Sequence, residues 1–205
     1  MSDSQAKWYA IKVFYNKVFA LEGELESMGV ETYLAVEKVQ LKGNEHMAAA
    51  RKLAQDPNPL ERVFVRNGPL IFQRRPLVNS LLFARVEDEQ LPAVRDLLSD
   101  PEGIMPPRGF IYMTADRSVC AAIPDSQMRA FRLTVESGAD GLLFFSHDDF
   151  TRYRRGDKVR VKEGPLKGVE GYIKRIRKNR RLLVCVDGVI AVATSYIPPE
   201  QLEKV

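Results

Sequence analysis

Lys174, Arg175, Arg177, Lys178, Arg180 and Arg181 place six cations within eight residues, in the run KRIRKNRR. Phosphate contact would exploit such density, because a protein that neutralises several phosphates binds with a steep salt dependence. A protein partner would be served equally well, as would plain solubility, and charge alone leaves all three open. Catalytic chemistry has less to work with. His46 and His147 are remote from each other, and neither has a second histidine or cysteine at metal-ligand spacing. Ser146, His147, Asp148 and Asp149 hold the residue types of a triad, but contiguous residues rarely adopt triad geometry, and a cap or linker role suits them better. There is no glycine loop of the Walker or dinucleotide type. The sequence therefore argues against an enzyme, and no cofactor or metal is expected.

The basic run sits in a chain of 205 residues with a formal net charge of +4. That modest figure hides an asymmetry: residues 151–205 carry 14 Lys and Arg against 6 Asp and Glu, whereas residues 1–150 carry 17 against 21. A basic module on a mildly acidic body points to different partners for the two parts. Cys120 and Cys185 lie far apart in sequence, and a pair of reduced, half-buried strand thiols is expected rather than a disulfide. No apolar run approaches the length that crosses a bilayer, and MSDSQAKWYA lacks the features of a leader, so a cytoplasmic location without membrane contact is expected.

Local patterns supply the elements. KWYAIKVFY, residues 7–15, is aromatic and β-branched and predicts a strand. Asn16 is placed to cap a helix whose Val18, Leu21, Leu25 and Met28 share a face and which ends at Gly29. A second strand follows over 31–39. Residues 41–68 break the rhythm as an insertion or a mobile loop, with a helix-compatible run at 45–55. In PLIFQRRPLVNSLLFARV, residues 69–86, strands flank a turn at Gln73–Pro76, and the second strand should be buried and central. A helix over 88–98 presents Leu91, Val94 and Leu98. Asp125 or Ser126 should cap another, with Met128, Phe131 and Val135 buried. Residues 137–155 are expected to link two domains, 1–136 and 156–205, although Leu142–Phe145 is too apolar for a free tether. From 156 onward the period is two, cut by turn signals into short strands that close best as a small SH3-like β-barrel. The predicted class is α+β: an N-terminal α/β sandwich followed by the barrel.

GDKVRVKEGPLKGVEGYI, residues 156–173, is similar in spacing to the KOW motif, with Gly171 as its characteristic glycine. A missing side chain there permits a bulge or a sharp bend. KWYAIKVFYNKVFALEGELESMGVETYLAVEKV resembles the start of the N-terminal (NGN) domain of NusG-type transcription elongation factors. In RPLVNSLLFARV, Pro76, Leu77, Phe83 and Arg85 match a strand of that family, while Val78, Asn79, Ser80 and Leu81 depart from it. Together with IYMTADR, AIPDSQMRAF and GVIAVATSYIPPEQLEKV, those departures resemble the UpxY-type branch of specialised paralogues, over nearly all of residues 7–205.

The resemblance implies a monomeric, non-enzymatic factor that suppresses pausing or termination on long operons such as those for capsular polysaccharide. The alternatives are a general NusG factor and an RNA- or ribosome-binding KOW protein that does not act on polymerase. It implies that RNA polymerase seats its clamp helices in an apolar depression lined by Leu81 and Phe83, with Trp8, Tyr9 and Tyr33 as further candidates. Alternate strand residues face opposite ways, so core and contact roles both stay open for Trp8 and Phe83. Gln90, Leu91, Pro92 and Ala93 stand where family members bridge to the far side of the cleft. Lys12, Tyr15, Asn16 and Lys17 stand where some touch non-template DNA, with cations for phosphate and an aromatic ring for stacking; a solvated helix start is the other reading. The barrel would meet nascent RNA, Rho or a small-subunit ribosomal protein.

Overall fold

The computed structural model describes residues 5–55, 63–99, 106–138, 141–146, 156–176 and 179–205. The chain divides into two units, Met1–Ala6 with Ile11–Ile111 and Lys7–Ala10 with Tyr112–Val205, so the first strand, β1 (Lys7–Val13), contributes to both. Each is mixed α/β and built largely of antiparallel strand pairs.

In the first unit, β2 (Glu31–Tyr33), β6 (Leu81–Val86), β1 and β7 (Gly109–Ile111) follow one another in a sheet. Leu81, Leu82, Phe83 and Ala84 are all buried, which is why β6 reads as a continuous apolar run rather than an alternation. Helix α1 (Val18–Ser27) buries Val18, Leu21 and Leu25, and Gly29 ends it with φ +78. Met28, expected on that stripe, is exposed. Helix α3 (Leu91–Ser99) buries Val94 and Leu98, with Leu91 half-buried.

Other local expectations need correction. Asn16 does not cap α1: Lys17 occupies the N-cap position without a side-chain bond, because Tyr15 and Asn16 turn through left-handed backbone. The strand expected over 31–39 breaks at Leu34 and Ala35, whose side chains are buried, and resumes as β3 (Val36–Gln40). Gln73–Pro76 is no turn. It lies inside β5 (Leu70–Pro76), whose register with β3 runs from Gln40 opposite Phe72 to Val36 opposite Pro76. The reversal falls at residues 77–80, where Ser80 has φ 64.

The 41–68 insertion contains helix α2 (Gly43–Gln55) and strand β4 (Phe64–Asn67), its residues 56–62 lying outside the described residues. Strands β3, β5 and β4 form a sheet of their own, and Leu41, Ala49, Leu53 and Ile71 make a small core with Ala50 and Phe64 against it. Arg74 of β5 ties this layer to α1, donating to both carboxylate oxygens of the buried Glu22 at 2.8 and 3.0 Å with its guanidinium 5.2 Å from the Phe19 ring centroid. A buried carboxylate needs such a partner, and a bidentate one fixes direction as well as distance.

In the second unit, Trp8 and Tyr9 of β1 pair with β8 (Ala122–Ile123). Helix α4 (Asp125–Glu136) buries Met128, Phe131 and Val135 as its period predicts, but Pro124 is its N-cap residue and no side chain caps it. Six strands follow in the order β14 (Leu202–Lys204), β10 (Lys158–Val161), β11 (Glu170–Ile176), β12 (Asn179–Val186), β13 (Ile190–Ala193) and β9 (Leu143–Ser146). Leu143–Ser146, within the stretch read as a linker, thus pairs with β13 from Ala193 to Ile190. Helix α4 packs on β12 and β13. Gln127 and Asp187 hold it there reciprocally: the Gln127 amide donates to the carboxylate at 2.9 Å, and the Asp187 backbone N–H donates back at 3.0 Å.

Gly171 is required by close approach. A Cβ there would stand 2.5 Å from the Leu183 carbonyl oxygen and 2.9 Å from Leu182 Cδ1, so only glycine lets β11 and β12 meet at their register.

Candidate nucleic-acid interface

Strand β1 ends at Val13, and the chain then makes the left-handed step at Tyr15 (φ 59) and Asn16 (φ 54) before α1 begins. Left-handed backbone is rare for a bulky residue such as Tyr and is held only where its surroundings over-determine it. Here three backbone bonds do so. Val13 N–H donates to the Ser80 carbonyl at 2.9 Å, Phe14 N–H to the Arg108 carbonyl at 2.7 Å, and Lys17 N–H to the Phe14 carbonyl at 3.4 Å.

The turn presents a group of aromatic rings. Phe14 packs edge-on against Tyr15 at 6.1 Å between centroids and against Phe110 of β7 at 5.9 Å. Tyr15 is 65% exposed and Phe110 46%. Phe110 is the cross-strand partner of Lys12, so the two stand on one face of the sheet. Gly109 makes this possible, since a Cβ on it would collide with the Lys12 carbonyl oxygen. Lys12 Nζ donates to Ser80 Oγ at 2.7 Å, while Asn16 and Lys17 are exposed.

Arg108 anchors the β7 side of the group. Its guanidinium donates to both carboxylate oxygens of Glu24 on α1, at 2.6 and 2.7 Å. Those bonds hold the Glu24 carboxyl below its usual value, against the opposing effect of partial burial, and raise that of Arg108. Two exposed rings beside two lysines and an exposed amide supply a stacking surface for bases with cations for the adjoining phosphates, a sequence-tolerant way to hold a single strand. Sequence reading had named Lys12, Tyr15, Asn16 and Lys17. It missed Phe14 and Phe110, and only the strand pairing brings Phe110 to the others.

The remaining candidates are placed differently. Leu81 and Phe83 are buried in the first unit, Trp8 and Tyr9 in the second. Tyr33 is half-buried, its ring 6.3 Å from that of Phe83. Trp8 lies under the Arg132 guanidinium of α4, 5.9 Å from the ring centroid. Gln90 accepts the Glu87 N–H on its side chain at 3.2 Å just before α3, and Pro92 and Ala93 are exposed. Of the basic run, Arg177 and Lys178 lie outside the described residues. Lys174 is opposite Arg181 and Arg175 opposite Arg180, which puts the two pairs on opposite faces of the ribbon. Arg181 is spent on structure, donating to the carbonyls of Gly141 and Thr194, both at 2.9 Å.

His46 contacts the Pro69 carbonyl through Nε2, and His147 lies outside the described residues. Neither cysteine is in a disulfide, and Cys120 is buried and Cys185 half-buried. Among the described residues no group of three His, Cys, Asp or Glu is placed to hold a metal ion, and no helix is long and apolar enough to cross a membrane.

No protein-family model matches the chain, and no curated protein matches it. A solved structure described as "Domain interaction in Thermotoga maritima NusG" is similar at 17% sequence identity and a TM-score of 0.39, covering 98% of each chain.

Proposed function

We propose that the chain is a NusG-like transcription elongation factor of the UpxY type, acting against pausing or termination on long operons such as those for capsular polysaccharide. In this reading residues 1–136 form the polymerase-binding NGN-type domain and 156–205 the KOW barrel, with the linker 137–155 adding Leu143–Ser146 to the barrel's sheet. The factor does no covalent chemistry. It binds the elongating conformation of RNA polymerase more tightly than the paused one and shifts the population accordingly. The observation that supports it best is the group of Phe14 with the exposed rings of Tyr15 and Phe110 beside Lys12 and Lys17, a surface suited to an unpaired strand held at the polymerase.

The test uses the full chain with elongation complexes assembled on a scaffold whose non-template strand is single-stranded. Wild type is expected to be retained on the complexes and to shorten pauses. Tyr15→Ala with Phe110→Ala is expected to stay bound through the polymerase contacts and to lose most of the pause shortening. No retention of wild type on elongation complexes refutes the proposal. Equal pause shortening by wild type and the double variant removes the aromatic group from it.

A further inference from the structure

A cavity of about 280 Å³ opens at one end of the second unit's sheet. Val159, Ile173, Ile197 and Leu202 line it with aliphatic carbon, and Arg180 stands among the charged residues around them. The strand registers account for the arrangement. Val159 is opposite Gly171, and Ile173 and Arg175 follow at two-residue steps, so Val159, Ile173, Arg175 and its partner Arg180 share one face.

Charge at the cavity is unevenly satisfied. Asp157 pairs with Lys204 and Glu203 with Arg160, each at 3.6 Å. Arg180 is exposed and makes no ion pair among the described residues, while Arg175 stands directly across from it. An incoming carboxylate would give the Arg180 guanidinium the partner it lacks among the described residues. A nucleic acid fits less well. Lys174 and Arg181 lie on the other face, so these four cations do not form one row of phosphate contacts, and among the described residues no aromatic ring lines the cavity for a base to stack on.

We propose that this cavity docks a segment of a partner protein in which a leucine-sized side chain stands next to an aspartate or glutamate. The aliphatic side chain fills the space between Val159, Ile173, Ile197 and Leu202, and the carboxylate takes the Arg180 guanidinium in a forked, charge-assisted pair. The inference does not depend on the polymerase reading, since it uses only residues of the second unit.

The experiment titrates the full chain into a fluorescein-labelled acidic peptide carrying one leucine and follows anisotropy, with the same peptide bearing serine for leucine and an oligouridine as parallel probes. The leucine peptide is expected to bind about tenfold more tightly than the serine peptide, the ratio that burial of one aliphatic side chain gives. Arg180→Glu is expected to weaken the leucine peptide by at least about tenfold, and Arg180→Lys to recover part of the loss. Arg180 is exposed, so both variants should fold; unchanged circular dichroism confirms it. Three results overturn the proposal: no binding of the leucine peptide, equal binding of the leucine and serine peptides, or oligouridine that displaces the peptide and loses its own affinity in Arg180→Glu.

Discussion

Tyr15 offers a perturbation in which stability and binding move apart. At an ordinary position alanine is more favourable than glycine, by about 0.5–1 kcal/mol, because glycine has more backbone freedom to lose on folding. Tyr15 has φ 59, where any residue with a Cβ is strained by about 1–2 kcal/mol and glycine is not. The difference between the two effects favours Tyr15→Gly over Tyr15→Ala by up to about 1.5 kcal/mol. Both variants lose the same ring, and that ring is 65% exposed, so its packing against Phe14 contributes little to folding. Binding should respond in another way. Stacking one base on an aromatic side chain is worth about 1–3 kcal/mol, so both variants should lose roughly 5- to 150-fold in affinity for a single-stranded oligonucleotide. Urea unfolding followed by circular dichroism gives the stability order, and anisotropy with labelled oligothymidine at low salt gives the affinity. If Tyr15→Ala equals or exceeds Tyr15→Gly in stability, the left-handed turn is not what holds the ring outward. If either variant binds within twofold of wild type, Tyr15 is not a stacking residue.

Other substitutions test the frame around this site. Phe83→Asp places a charge where the side chain is 1% exposed, and should cost several kcal/mol and unfold the first unit rather than remove a contact selectively; near-ultraviolet circular dichroism and limited proteolysis report it. Gly171→Ala drives a methyl group against the Leu183 carbonyl, which is backbone and yields only if the strands part. A loss of about 1–3 kcal/mol is expected, read as a lower unfolding temperature, and an unchanged one would mean that β11 and β12 do not approach so closely. Glu24 titrates below its usual value because Arg108 bonds its charged form. Its contribution is therefore present above the unfolded value, near pH 4.5, and is lost as pH falls through the lower folded value. The Glu24 side chain is 45% exposed, so screening keeps the effect small, and Glu24→Gln should flatten the acid limb of the stability curve while leaving stability above pH 6 only slightly reduced. An acid limb that keeps its slope in the variant would refute the linkage.

What was legible in the sequence follows from the range over which each signal acts. The buried stripes of α1, α3 and α4 depend on spacing within one helix, and the central strand Leu81–Val86 depends on an unbroken apolar run; both are local, and both are present. The turn at Gln73–Pro76 was misplaced because two arginines and a proline look like a loop. They lie in β5 instead, where Glu37 is the cross-strand partner of Arg75, Glu22 neutralises Arg74 from another element, and Pro76 ends the strand. The failed caps have a similar origin. Asn16 and Asp125 are good capping residues by type, but the chain enters α1 through a left-handed step and α4 from an extended proline, so neither side chain reaches an end N–H.

The aromatic group shows why a site is harder to read than a fold. Lys12, Tyr15, Asn16 and Lys17 are neighbours in sequence, so their joint presence was visible, and so was the rival explanation of a solvated helix start. The residue that separates the two readings is Phe110, distant in sequence and unremarkable in its own strand. It reaches Phe14 only because Gly109 lets β7 close on β1 and because Arg108, held by Glu24, returns its carbonyl to the Phe14 N–H. Folding spends a glycine, an ion pair and a strained tyrosine to keep two rings in water. A solvated helix start would need none of them, since exposed aromatic carbon is unfavourable and lysine or serine would serve there. The cost is explained if the rings meet something planar and apolar, and the lysines beside them suggest that it is joined to phosphate.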